Sequence, residues 1–166
     1  MQPVVAAVGG PSSAGKSRLA ARVAETLAHT IVVAQDTFYR PEPPRVRVRG
    51  RTCCDWDCLQ AVDVAALLEQ VQAVRAQPTK HCAACRASEP AAPVRHVLLL
   101  EGTLVTEPAI LEPVSPDLVA FLHAPRDLCH ARRQQRTYKK EQEEEEEEEE
   151  KEGKKEERRT RGGEST

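Results

Sequence analysis

The chain has 166 residues, enough for one α/β domain, and its 24 basic and 26 acidic side chains give a net charge of −2. No apolar stretch approaches the roughly 18–20 residues that span a bilayer, so the sequence predicts no membrane insertion. An unbroken run of eight glutamates at 143–150 would repel nucleic-acid phosphates, which disfavours direct nucleic-acid binding.

Charge is unevenly distributed along the chain. Residues 139–166 carry 13 acidic and 8 basic side chains and no apolar one, which leaves 13 acidic and 16 basic side chains in residues 1–138. A segment without apolar surface cannot offset the entropy lost on ordering, so we expect a disordered Glu/Lys-rich tail at 139–166. The predicted folded domain is residues 1–138.

The first residues, Met1-Gln-Pro, lead straight into a predicted strand, without the basic region and apolar core of a signal peptide. Without a secretion signal, the six cysteines are expected to be reduced thiols. We therefore expect a cytosolic or nuclear location, and of the two we predict the cytoplasmic one.

The first predicted strand, Val4–Val8, leads into the sequence G-P-S-S-A-G-K-S at residues 10–17, and an amphipathic helix is predicted over Ser17–Leu27. This strand, loop and helix match the phosphate-binding pattern G-x-x-x-x-G-K-[ST] in the context it requires. The two glycines allow a tight turn that directs backbone N–H groups and the helix N-terminus at a phosphate. The predicted nucleotide-binding residues of the loop are Gly10, Ser12, Ser13, Ala14, Gly15, Lys16 and Ser17.

Two side chains of this loop are predicted to carry chemistry. Lys16 can reach the β- and γ-phosphates and is a candidate catalytic residue, and the Ser17 hydroxyl can ligate Mg²⁺. A glycine turn with a chance lysine and serine is the alternative, which the flanking strand and helix disfavour.

The remaining elements alternate between strand and helix. They are predicted at Thr30–Ala34 (strand), Asp57–Val74 (helix), Val97–Leu100 (strand), Leu118–Leu122 (strand) and Asp127–Gln135 (helix). Pro41–Arg51 and Gln77–Arg95 are predicted loops because of their Pro, Arg and small-residue content. Short apolar runs separated by helices predict an α/β fold, with a parallel sheet covered on both faces.

Two carboxylates follow strands of this predicted sheet. Asp36 comes after the second strand and Glu101 after Val97–Leu100, and ligands bind at the carboxyl ends of such strands. A kinase needs one carboxylate to deprotonate the acceptor hydroxyl and another to hold Mg²⁺, which predicts Asp36 as base and Glu101 as metal ligand. The alternatives are a helix-capping role for Asp36 and a surface acid at Glu101.

Five segments together carry a family resemblance: G-G-P-S-S-A-G-K-S at 9–17, Q-D-T-F-Y at 35–39, D-W-D-C-L-Q-A at 55–61, L-L-L-E-G at 98–102 and C-H-A-R-R-Q-Q-R-T-Y at 129–138. In order and spacing they resemble the nicotinamide riboside kinases over residues 3–138, most closely the muscle-type member. The loop alone would indicate only a P-loop NTPase. The combination of Q-D-x-F, W-D-x-L and R-R-x-x-R-x-Y, in the segments at 35–39, 55–61 and 129–138, is more specific and favours this family over the uridine kinases, which remain an alternative.

The resemblance implies a P-loop kinase-like three-layer sandwich and ATP-dependent phosphorylation of the nucleoside nicotinamide riboside to its mononucleotide, in NAD synthesis. By position, Asp36 would be the base, Asp57 would bind the ribose hydroxyls, and Trp56 and Tyr138 would sandwich the pyridine ring. An arginine lid would neutralise the transferred phosphate, with Arg132 and Arg136 toward the nucleotide and Arg133 toward the substrate. Each has an ordinary alternative: a core-packed Trp, a Tyr that ends a helix and a solvated basic face.

The chain departs from the family pattern after Tyr138. The family continues there with a last strand, an adenine-contacting loop and a terminal helix, whereas this chain continues into the acidic tract. We expect a sheet that lacks its last strand. An interaction role through the acidic tail, or an adaptor role at an integrin cytoplasmic tail, is the alternative to catalysis.

The cysteines raise the question of a second metal. Cys82 and Cys85 have the C-x-x-C spacing of a zinc half-site, and Cys53, Cys54 and Cys58 lie earlier. Spacing between the clusters is irregular, and the resembled family binds no metal there, so reduced thiols without a metal are the favoured interpretation. The remaining histidines have no ligand-like spacing and are predicted to be structural or surface residues: His29, His96, His123 and His130.

Overall fold

The computed structural model describes residues 2–88 and 90–135. These residues belong to two compact units, Met1–Ala124 and Pro125–Thr166. In the second unit, residues 126–135 are helical, and the helix begins one residue earlier than predicted. Arg136, Tyr138 and the predicted tail lie outside the described residues, and the domain boundary at residue 138 stays a prediction.

The first unit alternates strands and helices. In chain order they are β1 (Val4–Gly9), α1 (Lys16–Thr26), β2 (Thr30–Ala34), β3 (Arg45–Val48), β4 (Arg51–Cys54), α2 (Val64–Ala76), α3 (Pro78–His81), α4 (Ala83–Ala87), β5 (Val97–Glu101), α5 (Pro108–Val114) and β6 (Leu118–Phe121). Short 3-10 helices follow β2 at Gln35–Phe38 and precede α2 at Leu59–Ala61.

A parallel sheet of four strands, in the order β2-β5-β1-β6, forms the centre of the unit. β5 lies between β1 and β2, so that its last residue, Glu101, is in register with Val8 on one side and Ala34 on the other. The carboxyl ends of these three strands therefore meet at one edge of the sheet. Within the described residues β6 is an outer strand of this sheet.

Helices cover both faces of the sheet, because alternate residues of a strand point to opposite sides. Leu98 and Leu100 of β5 pack with α2 and α5 in one hydrophobic core, while Leu99 packs with Ala20 of α1 in the other. This arrangement confirms the predicted α/β three-layer architecture. No helix among the described residues combines the length and apolar character needed to cross a bilayer.

The predicted loop Pro41–Arg51 is wrong in part, since it contains β3 and the start of β4, which form an antiparallel hairpin. Arg49 and Gly50 connect the strands with positive φ angles of 49° and 81°. Both residues adopt the left-handed conformation of the two-residue turns that join hairpin strands. The alternation of arginine and valine along β3 is a sequence pattern that could have indicated this strand, although both of its faces are exposed.

The helix predicted over Asp57–Val74 begins later than expected, at Val64. The Asp63 side chain accepts a hydrogen bond from Ala66 N at 3.1 Å and caps the helix. Trp56 and Asp57 precede the helix, in a non-helical segment. Likewise, the predicted loop Gln77–Arg95 contains the two short helices α3 and α4.

Leu67 of α2 is fully buried in the larger hydrophobic core. Replacing it with alanine should lower the free energy of unfolding by about 2–5 kcal/mol, because the substitution removes buried methyl groups and leaves a cavity. Urea denaturation followed by circular dichroism measures the change. Leu27→Ala, at a leucine that is 48% exposed, is the matched control and should cost far less. Equal losses in the two variants would contradict the assignment of Leu67 to the core.

Candidate nucleotide and substrate site

The loop after β1 turns as a phosphate-binding loop must. Gly10, Ser13 and Gly15 have φ angles of 141°, 64° and 108°, and Ala14 N donates to the Pro11 carbonyl at 3.1 Å. A Cβ on Gly10 would lie 2.5 Å from the Leu122 carbonyl oxygen, so this position has no room for a side chain. The left-handed turns draw the backbone around the start of α1, whose N-terminus attracts anions.

Lys16, the first residue of α1, is held across this loop. It is buried, and its ammonium group donates to the Pro11 carbonyl at 3.1 Å and to Thr103 Oγ1 at 3.4 Å. Thr103 follows β5, so the contact ties the loop to the carboxyl end of the neighbouring strand. The sequence did not single out Thr103, and no motif marks it.

Glu101 ends β5 directly beside the loop. The side chain is only 3% exposed, so the alternative of a surface acid is wrong. Burial raises the pKa of its carboxyl; a hydrogen bond with the Ser17 side chain lowers that pKa, Asp36 raises it and Lys16 lowers it. The Ser17 hydroxyl therefore interacts with the Glu101 carboxylate, and the charges of Lys16 and Asp36 lie close to both. Hydroxyl and carboxylate oxygens are the hard ligands that Mg²⁺ prefers, so this donor pair fits the ion.

Asp36 is exposed in the 3-10 helix that follows β2. Ala34, not Asp36, is the N-cap residue of that helix, so the capping alternative does not apply. The preceding residue, Gln35, is buried, and its Oε1 accepts a hydrogen bond from Leu104 N at 2.7 Å. A Cβ on Gly102 would lie 2.4 Å from Gln35 Oε1, so Gln35 fits closely against the chain after β5. Gln35 thereby fixes the backbone that presents Asp36.

An aromatic pair lies beside these acids. The Tyr39 and Trp56 rings meet edge to face, with centroids 5.4 Å apart and planes at 89°. Burial, then the charges of Asp36 and Asp57, raise the pKa of the Tyr39 hydroxyl. Trp56 is 41% exposed and does not pack in the core. Three predicted substrate residues, Asp36, Trp56 and Asp57, therefore gather around a tyrosine that the sequence prediction missed.

The remaining predicted site residues belong to the second unit. Arg132 and Arg133 are exposed on the helix at 126–135, and their predicted contacts with nucleotide and substrate stay predictions. Arg136 and Tyr138 lie outside the described residues.

Two histidines lie in a cluster that their sequence spacing did not indicate. His29 and His96 lie beside Cys82 and Cys85, and the ligand atoms of all four side chains are within 4.8 Å of one another. The prediction of structural or surface roles for these histidines, made from their spacing in the sequence, did not include this cluster. The positions lie far apart in the sequence, so their spacing gave no signal.

Known proteins similar to this chain are kinases. The chain is 32% identical to nicotinamide riboside kinase 2 of Mus musculus, over 81% of this chain and 69% of that protein. The chain belongs to the nicotinamide riboside kinase family. It is also 32% identical to the human nicotinamide riboside kinase 2, and it spans 58% of the length of that relative. No family model matches the sequence.

Kinases outside the nicotinamide riboside kinase family are also similar to this chain. It is 30% identical to a uridine kinase of Shewanella piezotolerans, over 81% of this chain and 69% of that protein. A solved structure from Silicibacter sp. TM1040, described as a fructose transport system kinase, superposes with a TM-score of 0.55 and 19% identity, covering 83% of this chain and 73% of that one. The structural likeness supports the kinase fold, which these families share.

Proposed function

We propose that this chain transfers the γ-phosphoryl group of ATP to the 5′-hydroxyl of nicotinamide riboside, giving nicotinamide mononucleotide for NAD synthesis. One observation carries the proposal. Asp36 and Asp57 lie near the Tyr39–Trp56 pair, on the side of the sheet where the phosphate loop follows β1. The proposed setting is the cytoplasm, which suits six free thiols.

We assign a role to each site residue from its charge and its position. Lys16 would hold the β- and γ-phosphates, as a buried cation at the loop. Asp36, an exposed carboxylate, would accept the proton of the attacking hydroxyl. Ser17 and Glu101 would hold Mg²⁺, which when bound neutralises phosphate charge. Asp57 would orient the ribose hydroxyls, as the family resemblance implies.

The surroundings of the aromatic pair favour nicotinamide riboside over uridine. Nicotinamide riboside carries a positive charge on its pyridinium ring, and aromatic faces and nearby carboxylates both attract a cation. Asp36 and Asp57 act electrostatically on Tyr39, so the pair lies in a negative field. Uracil is neutral and gains nothing from that field.

Uridine remains the second candidate substrate because a uridine kinase is among the similar proteins. Purified full-length chain with Mg²⁺, ATP and each nucleoside in turn tests the choice, with the monophosphate product separated by chromatography. A higher kcat/KM for nicotinamide riboside supports the proposal, and a preference for uridine contradicts it. The interaction role predicted for the tail stays a prediction.

Trp56→Leu should raise KM for nicotinamide riboside by about 2–30-fold, because loss of a cation–π contact costs about 0.5–2 kcal/mol. Steady-state kinetics with both nucleosides measure the effect, and uridine phosphorylation should change less. Tyr39→Phe is the matched control, since it keeps the ring and removes only the hydroxyl. Equal losses for both nucleosides would contradict recognition of a cationic ring by this pair.

A further inference from the structure

Four soft or borderline ligands meet at the amino edge of the sheet, opposite the phosphate loop. His29 immediately precedes β2 and His96 immediately precedes β5. These strands are parallel neighbours in which Thr30 is in register with Val97, so the two histidines lie side by side. Val97 N donates to the His29 carbonyl at 3.0 Å and Val4 N to the His96 carbonyl at 2.9 Å, which fixes both backbones.

The two cysteines approach these histidines from the segment after α2. Cys82 Sγ is 3.8 Å from His29 Nδ1, and Cys85 Sγ is 3.6 Å from His29 Nδ1 and 3.3 Å from His96 Nε2. A tetrahedral zinc ion, with Zn–S about 2.3 Å and Zn–N about 2.0–2.1 Å, requires S···N separations of about 3.6 Å. The observed distances bracket this value, so one ion at the centre would need only small side-chain shifts.

We propose that His29, Cys82, Cys85 and His96 bind one zinc ion in a Cys2His2 site. Two sulfurs and two imidazole nitrogens in a tetrahedral arrangement are the ligand set typical of zinc. Four protein ligands leave no position for water or substrate, so the site is structural rather than catalytic.

The segment that supplies the cysteines needs such an anchor. α3 and α4 are four and five residues long and contain no buried residue. Helices this short are not stable on their own in water. Cys82, which joins them, is fully buried, and Cys85 lies within α4. A metal bound by both cysteines and by the two histidines would fasten this segment to the ends of β2 and β5.

Metal content tests the proposal without any measurement of kinase activity. Full-length chain, purified under reducing conditions and supplemented with zinc, should retain about one zinc ion per chain after gel filtration, by plasma mass spectrometry. Titration of the metal-free chain with Co²⁺ should give the visible absorption of a tetrahedral ion and thiolate-to-metal charge transfer. A reduced wild-type chain that retains no zinc and shows neither band would overturn the proposal, leaving a metal-free hydrogen-bonded cluster.

Cys85→Ser should weaken zinc binding more than about 100-fold, since loss of a direct ligand should exceed the 10–100-fold cost of losing an outer-shell partner. Cys58→Ser is the matched control, because Cys58 is also a half-buried free thiol but lies outside the cluster. Competition with a chromophoric chelator measures both affinities. Equal affinities in the two variants would overturn the assignment. Because the wild-type Co²⁺ spectrum is an independent readout, a Cys85→Ser chain that fails to fold leaves the proposal falsifiable.

Discussion

Replacing Lys16 with alanine is expected to weaken binding of Mg²⁺–ATP at least about 100-fold. The ammonium group is buried beside the phosphate loop, where its hydrogen bonds to Pro11 and Thr103 hold it in place. Charge-assisted hydrogen bonds contribute about 1.5–3 kcal/mol each, and this lysine is positioned to make them to two phosphates. Isothermal titration calorimetry with ATP and Mg²⁺ measures the loss.

Two further variants separate lost charge from lost structure. Lys16→Met keeps most of the side chain's apolar stem and should lose as much affinity as the alanine variant. Lys80, exposed in α3, is the only other lysine among the described residues. Lys80→Ala also removes one positive charge, and this variant should bind ATP normally. Normal affinity in either Lys16 variant would contradict the phosphate-loop interpretation.

The sheet and the phosphate loop could be predicted from the sequence because their patterns are local. A buried parallel strand is a short apolar run in the sequence. For this reason the predicted bounds of the strand Thr30–Ala34 agree with the structure at both ends. The Val97–Leu100 strand was one residue short, since Glu101, although charged, continues the ladder. The glycines before Lys16 mark the turn that the structure shows.

Helical periodicity failed where apolar residues pack without forming a helix. Leu59 and Val62 extend the apolar spacing of α2 toward the N-terminus, yet they lie in and after a 3-10 turn. Val62 is nevertheless buried, because its side chain packs in the larger hydrophobic core, and its backbone forms an isolated β-bridge with Tyr39. The capping residue Asp63 was the signal that could have corrected the boundary.

The cluster of His29, Cys82, Cys85 and His96 could not be predicted from the sequence, because predicting it requires knowledge of the strand order. His29 and Cys82 are 53 residues apart, and no spacing rule joins them. Among the four side chains, His29 and His96 approach each other because β2 pairs with β5, which brings the residues before both strands together. Sequence patterns identified both strands, but the pairing of β2 with β5 rather than with β1 comes from the fold.

Asp36→Asn is expected to reduce kcat by a factor of about 10² or more while leaving ATP affinity nearly unchanged. General-base catalysis contributes about 10²–10⁴-fold, and an amide of the same shape cannot accept the proton. Gln35 holds the backbone at this position through its bond to Leu104 N, so the substitution should leave the local structure intact. Steady-state phosphorylation of nicotinamide riboside and calorimetry with ATP give the two readouts.

Asp57→Asn is the informative comparison for Asp36→Asn. Both substitutions remove one of the carboxylates that raise the pKa of Tyr39, so both weaken the negative field around the aromatic pair. If Asp36 is the base and Asp57 only binds ribose, Asp36→Asn lowers kcat, whereas Asp57→Asn mainly raises KM. A kcat near the wild-type value in Asp36→Asn would remove Asp36 from catalysis. A large loss of kcat in Asp57→Asn with little effect in Asp36→Asn would reassign the base to Asp57.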